Sequence, residues 1–472
     1  MRRSLTAALA VTTLATPLVL VVVVAAGSAS AAPVPPRTPL VDFNQDGYAD
    51  LVFSAVGGYE GTTPGQVTVV YGSASGPDTA HAKTFGRATP GVPGDPESGG
   101  RFGQETAAAD LDGDRYTDLV VNGYDGKAVV LWGSAAGLSG QGSAELPWNG
   151  GHVTAGDFNG DGKRDLVTVD FPRSDDPDND DQGMLISYGP FTREGKAAST
   201  QAVATSRTFG PGGFVTGDIT GDGADDIVSN HGFEEMAYGS KFWAGGKDGV
   251  NTTPKPLAAS VGGAIADVDK DGYGDLIVRD IGNNFEDMPY QKGTILIKYG
   301  TADGPSTTRT AKITQDTAGV PGVGEEGDEF GSSISAGDVN GDGYADVAVG
   351  IPGEDIESVA DAGSTVLLKG SRTGLTGTGA QAFQQSTTGV PGTSEKEDKF
   401  GSQVLLSDTN KDGKADLTAT APLEDGTYAD SGAAWHLRGA VGGLTVTGIT
   451  SFGPKALGAL EKGVMFGSWL AR

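Results

Sequence analysis

A nine-residue acidic segment that recurs along the chain constrains the fold more than any other feature. Its most regular copy is Asp338–Asp346, which reads Asp-Val-Asn-Gly-Asp-Gly-Tyr-Ala-Asp. Positions 1, 3, 5 and 9 carry carboxylate or amide oxygens, and the glycine at position 6 permits a sharp turn. Hard cations such as Ca²⁺ take about 6–8 oxygen ligands, and a cation offsets the repulsion among crowded carboxylates. The segment therefore indicates a loop that folds around a calcium ion.

The same segment occurs seven times, at intervals of 47 to 71 residues. The copies begin at Asp42, Asp110, Asp157, Asp218, Asp267, Asp338 and Asp408. A repeat of this size with strand-like flanks is typical of a propeller or another repeat array. Any one copy could be a plain solvated turn, because Asn, Asp and Gly favour turns, but seven copies in register favour cation loops.

The segment differs from an EF-hand, which needs a bidentate Glu at position 12 and a helix on either side. Position 12 is Phe53, Val121 and Val349 in copies one, two and six, and none of these can bind a metal. The residues after each copy are short, apolar and rich in β-branched side chains, which predicts buried strands. We therefore expect each acidic segment to connect two strands.

Each repeat continues in a regular order. A third strand ends in an aromatic residue followed by glycine, as at Tyr71-Gly72 and Tyr299-Gly300, and a weaker fourth strand leads into the next unit. Three of the links between units share Gly-Val-Pro-Gly, beginning at Gly91, Gly319 and Gly389. Four strands in each of seven units predict an all-β, seven-bladed β-propeller with calcium-binding hairpin loops.

The two ends of the chain are predicted to complete one blade. Almost no entry strand precedes the first acidic segment, whereas residues 466–472 begin with Phe-Gly and are followed by no acidic segment. We expect this terminal stretch to form the innermost strand of blade one, beside residues 50–55. The ring would then close by pairing the N- and C-terminal strands, which leaves no open sheet edge.

The Phe-Gly pairs and the acidic segments together resemble the FG-GAP repeat family, which includes the propeller of integrin α subunits. The pairs are Phe102-Gly103, Phe330-Gly331 and Phe400-Gly401. Gly350-Ile351-Pro352 is an imperfect match to the Gly-Ala-Pro from which the second half of the family's name is taken. The resemblance covers roughly residues 40–472. It implies a propeller in which each loop binds Ca²⁺ through positions 1, 3, 5 and 9 and through the main-chain carbonyl of position 7.

Carried onto this sequence, the motif assigns five ligands to each copy. The side-chain ligands would be Asp42, Asn44, Asp46, Asp50, Asp110, Asp112, Asp114, Asp118, Asp157, Asn159, Asp161, Asp165, Asp218, Thr220, Asp222, Asp226, Asp267, Asp269, Asp271, Asp275, Asp338, Asn340, Asp342, Asp346, Asp408, Asn410, Asp412 and Asp416. The main-chain ligands would be Tyr48, Tyr116, Lys163, Ala224, Tyr273, Tyr344 and Lys414. Copies two and four depart from the motif, with Arg115 at position 6 and Thr220 at position 3, and are expected to bind more weakly. We expect about five to seven structural calcium ions.

The N-terminus has the features of an export signal. Two arginines precede an apolar stretch at 5–26, and Ala-Ser-Ala at 29–31 forms a small-residue cleavage site. The predicted organisation is a signal peptide at 1–31, cleaved after Ala31, a linker at 32–39 and a propeller at 40–472. The apolar stretch is also long enough for an uncleaved membrane anchor. The chain has no cysteine, so a secreted protein of this kind would be braced by its core and metals instead of disulfides.

Charge and residue usage restrict the function. A formal net charge of −28 argues against nucleic-acid binding, which needs a basic face. The four histidines lack metal-ligand spacing and no acid–base pair stands out, so the sequence predicts a monomeric binding or adhesion module with an unknown extracellular protein or glycan ligand. A lectin, or an enzyme that cleaves polysaccharide or phosphoester, remains the alternative. The acidic runs at 175–181, 325–329 and 395–398 are interpreted as solvated loops.

Overall fold

The computed structural model describes residues 41–57, 64–96, 100–123, 127–149, 151–170, 183–205, 211–233, 236–282 and 288–471. Within these residues the chain forms seven four-stranded antiparallel sheets, which confirms the predicted all-β, seven-bladed propeller. The predicted signal peptide and linker, and the acidic run at 175–181, lie outside the described residues. The described part of the chain contains no helix with the length and apolar character needed to span a bilayer.

The strands follow one another blade by blade. Blade one contains β1 (Leu51–Ala55), β2 (Gln66–Tyr71) and β3 (Asp78–Phe85). Blade two contains β4 (Glu105–Ala109), β5 (Asp118–Asn122), β6 (Lys127–Leu131) and β7 (Ala144–Asn149). Blade three contains β8 (Val153–Gly156), β9 (Asp165–Asp170), β10 (Gly183–Tyr188) and β11 (Ser199–Ala204). Blade four contains β12 (Pro211–Gly217), β13 (Asp226–Phe233), β14 (Met236–Trp243) and β15 (Lys255–Pro256). Blade five contains β16 (Ser260–Ala266), β17 (Asp275–Asp280), β18 (Ile295–Lys298) and β19 (Thr310–Ile313). Blade six contains β20 (Ile334–Gly337), β21 (Asp346–Ile351), β22 (Ser364–Lys369) and β23 (Thr376–Phe383). Blade seven contains β24 (Gln403–Ser407), β25 (Asp416–Ala421), β26 (Ala433–Ala440) and β27 (Gly443–Phe452). Short 3₁₀ helices lie at Met288–Tyr290 and Pro454–Leu457, and β28 (Trp469–Leu470) ends the chain.

Burial explains the apolar runs of the middle strands. All residues of β1, β2, β21 and β25 are buried, whereas the outer strand β11 is mostly exposed. Neighbouring blades cover both faces of a middle strand, so its side chains are buried on both faces, including the threonines of β25. The aromatic residue that ends the third strand links blades, because the Tyr71 hydroxyl accepts a hydrogen bond from the Leu138 amide of blade two at 3.0 Å.

The first strands of neighbouring blades contact one another and form the inner wall of the ring. In blade one this position is occupied by the last strand of the chain. β28 pairs antiparallel with β1, with Leu470 opposite Phe53 and Trp469 opposite Ser54. The sequence places the terminal stretch in this blade and beside this strand. β28 also contacts β24, the inner strand of blade seven, so blade one is joined to the end of the repeat array.

The two ends of the blades carry different connections. The acidic loops join first to second strands, and the turns after the third strands hydrogen-bond to them, as between the Ser73 amide and the Thr409 carbonyl. We call this end the loop face. The connections from second to third strands lie at the opposite end together with the links between blades, as shown by the bond from the Phe330 amide to the Lys292 carbonyl. We call this end the link face.

One interpretation of the sequence holds for most of two runs on the link face but is wrong for one aspartate in each. The acidic runs at 325–329 and 395–398 were expected to be solvated, yet Asp328 and Asp398 are each only 2% exposed. Each carboxylate accepts a hydrogen bond from an amide of its own run, from Glu325 at 2.5 Å and from Glu395 at 2.7 Å. The run therefore turns back on itself and carries one carboxylate inward, which the charge pattern alone does not reveal.

Candidate metal centres

The acidic loops share one hydrogen-bond ladder, seen most fully in copy six. The two carboxylate oxygens of Asp338 accept bonds from the amides of Asp342 at 3.2 Å and Gly343 at 2.8 Å. Asn340 accepts from the Asp342 amide at 2.8 Å, and Asp342 accepts from the Tyr344 amide at 3.0 Å. The side chains at positions 1, 3 and 5 thus converge on the inside of one turn. Copies one, three, five and seven repeat all of these bonds.

This turn requires the left-handed backbone region at positions 4 and 6. At position 6 the φ angles run from 79° to 92°, and six of the seven residues are glycine. Copy two adopts the same conformation with Arg115, at φ 79°. A residue with a Cβ atom is strained in this region by roughly 1–2 kcal/mol. Copy two therefore keeps the geometry of the loop in spite of its sequence.

Replacing Arg115 by glycine is expected to stabilise the protein by about 0.5–1 kcal/mol. The strain relieved at φ 79° exceeds the additional backbone entropy that glycine loses on folding. Thermal unfolding of the variant and the parent protein measures the gain. Arg115→Ala is the matched control, since it removes the same side chain but retains the Cβ atom. Equal stability of the alanine and glycine variants would contradict this account.

The aspartate at position 9 ties each loop to the third strand. In copy six, Asp346 is fully buried, and its two oxygens accept bonds from the amides of Val339 at 3.1 Å and Gly370 at 2.9 Å. The glycine after the third strand makes the equivalent bond in all seven copies. Burial, together with the carboxylates of Asp342 and Asp338, raises the pKa of Asp346 to about 6, against the lowering effect of these two bonds.

Copy seven differs in the surroundings of its position 9 aspartate, Asp416. Thr409 replaces the apolar residue found at position 2 of the other loops, and its hydroxyl donates to Asp416 at 2.7 Å. Burial disfavours the carboxylate, but the hydrogen bond and charge of His436, together with the Gly439 amide and Thr409, outweigh it and lower the pKa of Asp416. This aspartate is therefore held in its charged form by the protein itself.

The structure brings three carboxylates of one loop together in copies two and five. Single carboxylate oxygens of Asp110, Asp112 and Asp114 lie within 4.8 Å of one another, and copy five forms an equivalent group that includes its position 9. In copy four, the Thr220 hydroxyl oxygen is buried and has no hydrogen-bond partner. Each copy presents oxygen donors at positions 1, 3, 5 and 9, which is the chemistry that calcium prefers. The residues present therefore fit a calcium ion, including in the two copies that depart from the motif.

Family models match the repeats that contain these loops. The FG-GAP repeat matches residues 330–368 and 400–437, and the FG-GAP-like repeat matches 110–168. The chain carries FG-GAP repeats. Integrin alpha pat-2 of Caenorhabditis briggsae is 31% identical over 198 residues, which is 37% of this chain and 15% of that protein. The chain thus spans much less than two thirds of the integrin, and the similarity to integrin α is limited to that part.

Two further similarities are weaker. Phosphatidylinositol-glycan-specific phospholipase D of Rattus norvegicus is 28% identical over 163 residues, which is 34% of this chain and 18% of that enzyme. Among solved structures, AofleA of Arthrobotrys oligospora aligns with a TM-score of 0.37 and 10% identity, covering 74% of this chain and 86% of that one. At this TM-score the second similarity supports no conclusion about function.

Two arginines outside the FG-GAP motif contact the two loops that have Asp, and not Asn or Thr, at position 3. Arg193 pairs with Asp112 at 2.5 Å and with Asp114 at 2.6 Å, and Arg309 pairs with positions 3 and 5 of copy five. A loop with three carboxylates carries the same formal charge, −3, as a loop with four carboxylates and one arginine. Sequence reasoning missed both residues, because they stand at different distances after their third strands.

The acidic loops also bond to one another around the ring. The position 8 amide of one loop donates to the position 1 carbonyl of the preceding loop, for example from Ala415 to Asp338 at 2.8 Å. The same bond from Ala49 to Asp408, at 3.1 Å, joins copy one to copy seven. At the junction of blades two and three, the Phe191 amide donates to the Leu111 carbonyl at 2.7 Å. The loop face is therefore a continuous hydrogen-bonded ring.

An open cavity of about 380 Å³ beside copy one contains a serine, a histidine and an aspartate. His81 pairs with Asp78 at 2.7 Å, and both side chains face solvent. The Ser73 hydroxyl donates to the Gly76 carbonyl at 2.6 Å, a bond that recurs in the same turn of blades two, five and six. This hydroxyl stabilises a turn and is not aligned with the histidine as a nucleophile would be.

The remaining histidines have structural partners. His152 bonds to Glu105 at 3.0 Å, His231 to Ser229 at 2.8 Å, and His436 to two threonine hydroxyls. Burial disfavours the imidazolium of His152, but the hydrogen bond and charge of Glu105 raise its pKa overall. These contacts agree with the interpretation of the histidines as structural.

Proposed function

We propose that this protein is a secreted, calcium-stabilised FG-GAP propeller that binds an extracellular protein or glycan through its link face. The observation that carries the calcium part is the recurrence of one acidic turn in seven loops, five of which share the complete hydrogen-bond ladder. The exported location rests on the N-terminal segment 1–31 and on the extracellular nature of integrins, and N-terminal sequencing of the exported protein tests the cleavage after Ala31.

The loops would hold calcium through the positions that the sequence predicts, with five oxygens from each copy. When bound, calcium supplies positive charge that offsets the three or four carboxylates of each loop. The protein's own part is to orient the oxygens: the amides at positions 5, 6 and 7 hold the carboxylates inward, and the position 9 aspartate fixes the loop to its blade. The chain therefore supplies a preformed site, which reduces the ordering that binding requires.

The copies are expected to differ in their contribution. In calcium, Asp342→Ala in copy six should lower stability by about 2–3 kcal/mol, because a site at 100-fold excess over its Kd contributes about 2.7 kcal/mol. Asp222→Ala in copy four should cost less than half as much, since Thr220 offers a hydroxyl where other copies offer an amide or carboxylate oxygen. Thermal unfolding with and without chelator measures both.

In chelator the two substitutions should have similar and smaller effects, because each then removes only a hydrogen bond, to Tyr344 or to Ala224. Equal costs of Asp342→Ala and Asp222→Ala in saturating calcium would contradict the ranking of the sites.

The ligand-binding part rests on the distribution of exposed apolar side chains. Among the described residues, those on the connections and links of the link face are Met236, Tyr290, Val323, Tyr428 and Leu460. The described part of the loop face carries one exposed large apolar side chain, that of Val441. Exposed apolar and aromatic groups mark interaction surfaces, and tyrosine is enriched where binding energy concentrates. The relatives support a binding role only in part, because the integrin and the phospholipase share less than a fifth of their length with this chain.

The test is a binding screen of the mature protein against immobilised extracellular-matrix proteins and a glycan array. We expect at least one specific ligand, and we expect Tyr290→Ser combined with Tyr428→Ser to weaken its binding about tenfold or more. Val441→Ser on the loop face is the matched control and should leave binding unchanged. Release of product from a polysaccharide or phosphodiester would support the enzymatic alternative, and equal weakening by the control would place binding elsewhere.

A further inference from the structure

Two glutamines precede the Gly-Val-Pro-Gly links of blades six and seven by four residues. Gln315 and Gln385 are 2% and 1% exposed, and they stand 70 residues apart, as do all of their partners. The Gln315 amide nitrogen donates to Glu354 at 2.5 Å, and that of Gln385 donates to Glu424 at 2.6 Å. The oxygen of each amide is buried and has no hydrogen-bond partner. Leaving such an oxygen unsatisfied costs about 1–3 kcal/mol, so two copies of the same orphan need a cause.

Acidic side chains cluster around the glutamate that each glutamine contacts. Glu354 lies near the carboxylates of Asp328, Glu325 and Asp355, and of these Asp328 is buried. The same four acids recur around Gln385 with Glu424 and the buried Asp398. Buried acids need a cation, a proton or hydrogen-bond donors to offset their charge. The charge of Lys292 acts to lower the pKa of Asp328, although its ammonium group donates to the Gly324 carbonyl and lies 3.6 Å from Asp316.

The third Gly-Val-Pro-Gly link acts as an internal comparison. Arg87 stands where the other two links have glutamine, and its guanidinium is buried and donates to the carbonyls of Pro93 at 2.7 Å and Lys127 at 3.0 Å. Gly100 stands where those links have Asp328 and Asp398. A link with a built-in positive charge therefore lacks the buried aspartate, and the two links with the aspartate lack the positive charge.

We propose that the Gln315–Glu354–Asp328 cluster and the Gln385–Glu424–Asp398 cluster are two further divalent cation sites, on the link face and outside the FG-GAP loops. An amide oxygen and two carboxylates are hard oxygen donors of net charge −2, which suits Ca²⁺. Gly322 keeps the first site open, because a Cβ atom there would lie 2.8 Å from the Gln315 nitrogen and 3.5 Å from a Glu354 oxygen.

These sites would join neighbouring blades on the link face. Gln315 follows β19 of blade five, whereas Glu354 follows β21 of blade six, and the second cluster joins blades six and seven in the same way. A cation would therefore fix the links that border the exposed residues Tyr290 and Val323. Protonation is the alternative way to relieve the clusters, since burial, and then the neighbouring carboxylates, raise the pKa of Glu354 to about 7.

The experiment is metal analysis and calcium titration of the full mature protein and of Glu354→Gln combined with Glu424→Gln. The double variant should bind two calcium ions fewer than the parent, and its FG-GAP loops should bind as before. Glu326→Gln combined with Glu397→Gln changes two exposed acids of the same runs and should lose none. Gln315→Arg, which copies the first link, should fold and lose one ion, so a result remains if the double variant fails to fold.

Terbium luminescence provides a local readout at the second cluster. The Trp435 ring lies beside Gly392, 3.6 Å from the position of a Cβ atom there, and Gln385 lies next to the same glycine. Terbium excited through tryptophan should lose intensity in Glu424→Gln and keep it in Glu397→Gln. This inference would be overturned if the number of bound calcium ions were unchanged both in Glu354→Gln/Glu424→Gln and in Gln315→Arg. That result would not affect the proposed calcium sites in the acidic loops. No calcium in the parent protein would instead refute the proposed function.

Discussion

Removal of calcium is expected to lower the melting temperature of the mature protein by about 10 °C or more. Several loops each contribute about 2.7 kcal/mol when calcium is at 100-fold excess over Kd, and each kcal/mol shifts the melting temperature of a large domain by roughly 2 °C. The physical reason is the repulsion among the three or four carboxylates of each loop, which the ion no longer offsets after its removal. Because main-chain bonds join the loops around the ring, from Ala49 to Asp408 among others, we expect the loss to spread across the loop face.

Differential scanning calorimetry of the protein before and after treatment with excess chelator measures this shift. Addition of calcium back to the chelated sample should restore the original transition, which separates loss of metal from irreversible damage. Elemental analysis of the purified protein should give at least five calcium ions per chain. An unchanged melt in excess chelator, with no calcium found by analysis, would refute calcium stabilisation.

Deletion of residues 464–472 is expected to destabilise the protein by about 5 kcal/mol or more. The deleted segment contains the buried side chains of Val464, Phe466 and Leu470, each of which contributes roughly 1.5–3 kcal/mol by burial. The Phe466 ring stacks on Phe53 with centroids 4.9 Å apart. The deletion also exposes β1 as an open sheet edge, which invites aggregation.

Point substitutions test the same contact without removing the strand. Phe466→Ala should cost about 3–5 kcal/mol, since it leaves a cavity in a fully buried position. Trp469→Ala is the matched control, because that side chain is 39% exposed and the main-chain pairing with Ser54 is kept. If the truncated protein melts like the full chain, or if both substitutions cost the same, the terminal strand does not hold the ring together.

The repeat pattern was enough to predict the architecture. Seven acidic segments, each followed by an apolar run, specify where the blades begin, because local turn chemistry and strand burial repeat at every copy. The Phe-Gly pair at Phe466 similarly indicated the partner of β1, since an entry strand without a loop can only complete a blade whose loop lacks an entry strand. Even the two irregular loops, with Arg115 and Thr220, keep the turn that the other five adopt.

The tertiary structure alone decided which charges are compensated, and by what. Arg193 reaches a loop of the preceding blade, and Glu354 meets Gln315 across a blade junction, so no fixed spacing connects these partners in the sequence. The run at 325–329 looked solvated because charge patterning describes residues along the chain, whereas burial depends on what the neighbouring blade covers. Local motifs therefore determined the loops and the number of blades. The electrostatic partners followed only from the stacking of blades that are distant in sequence.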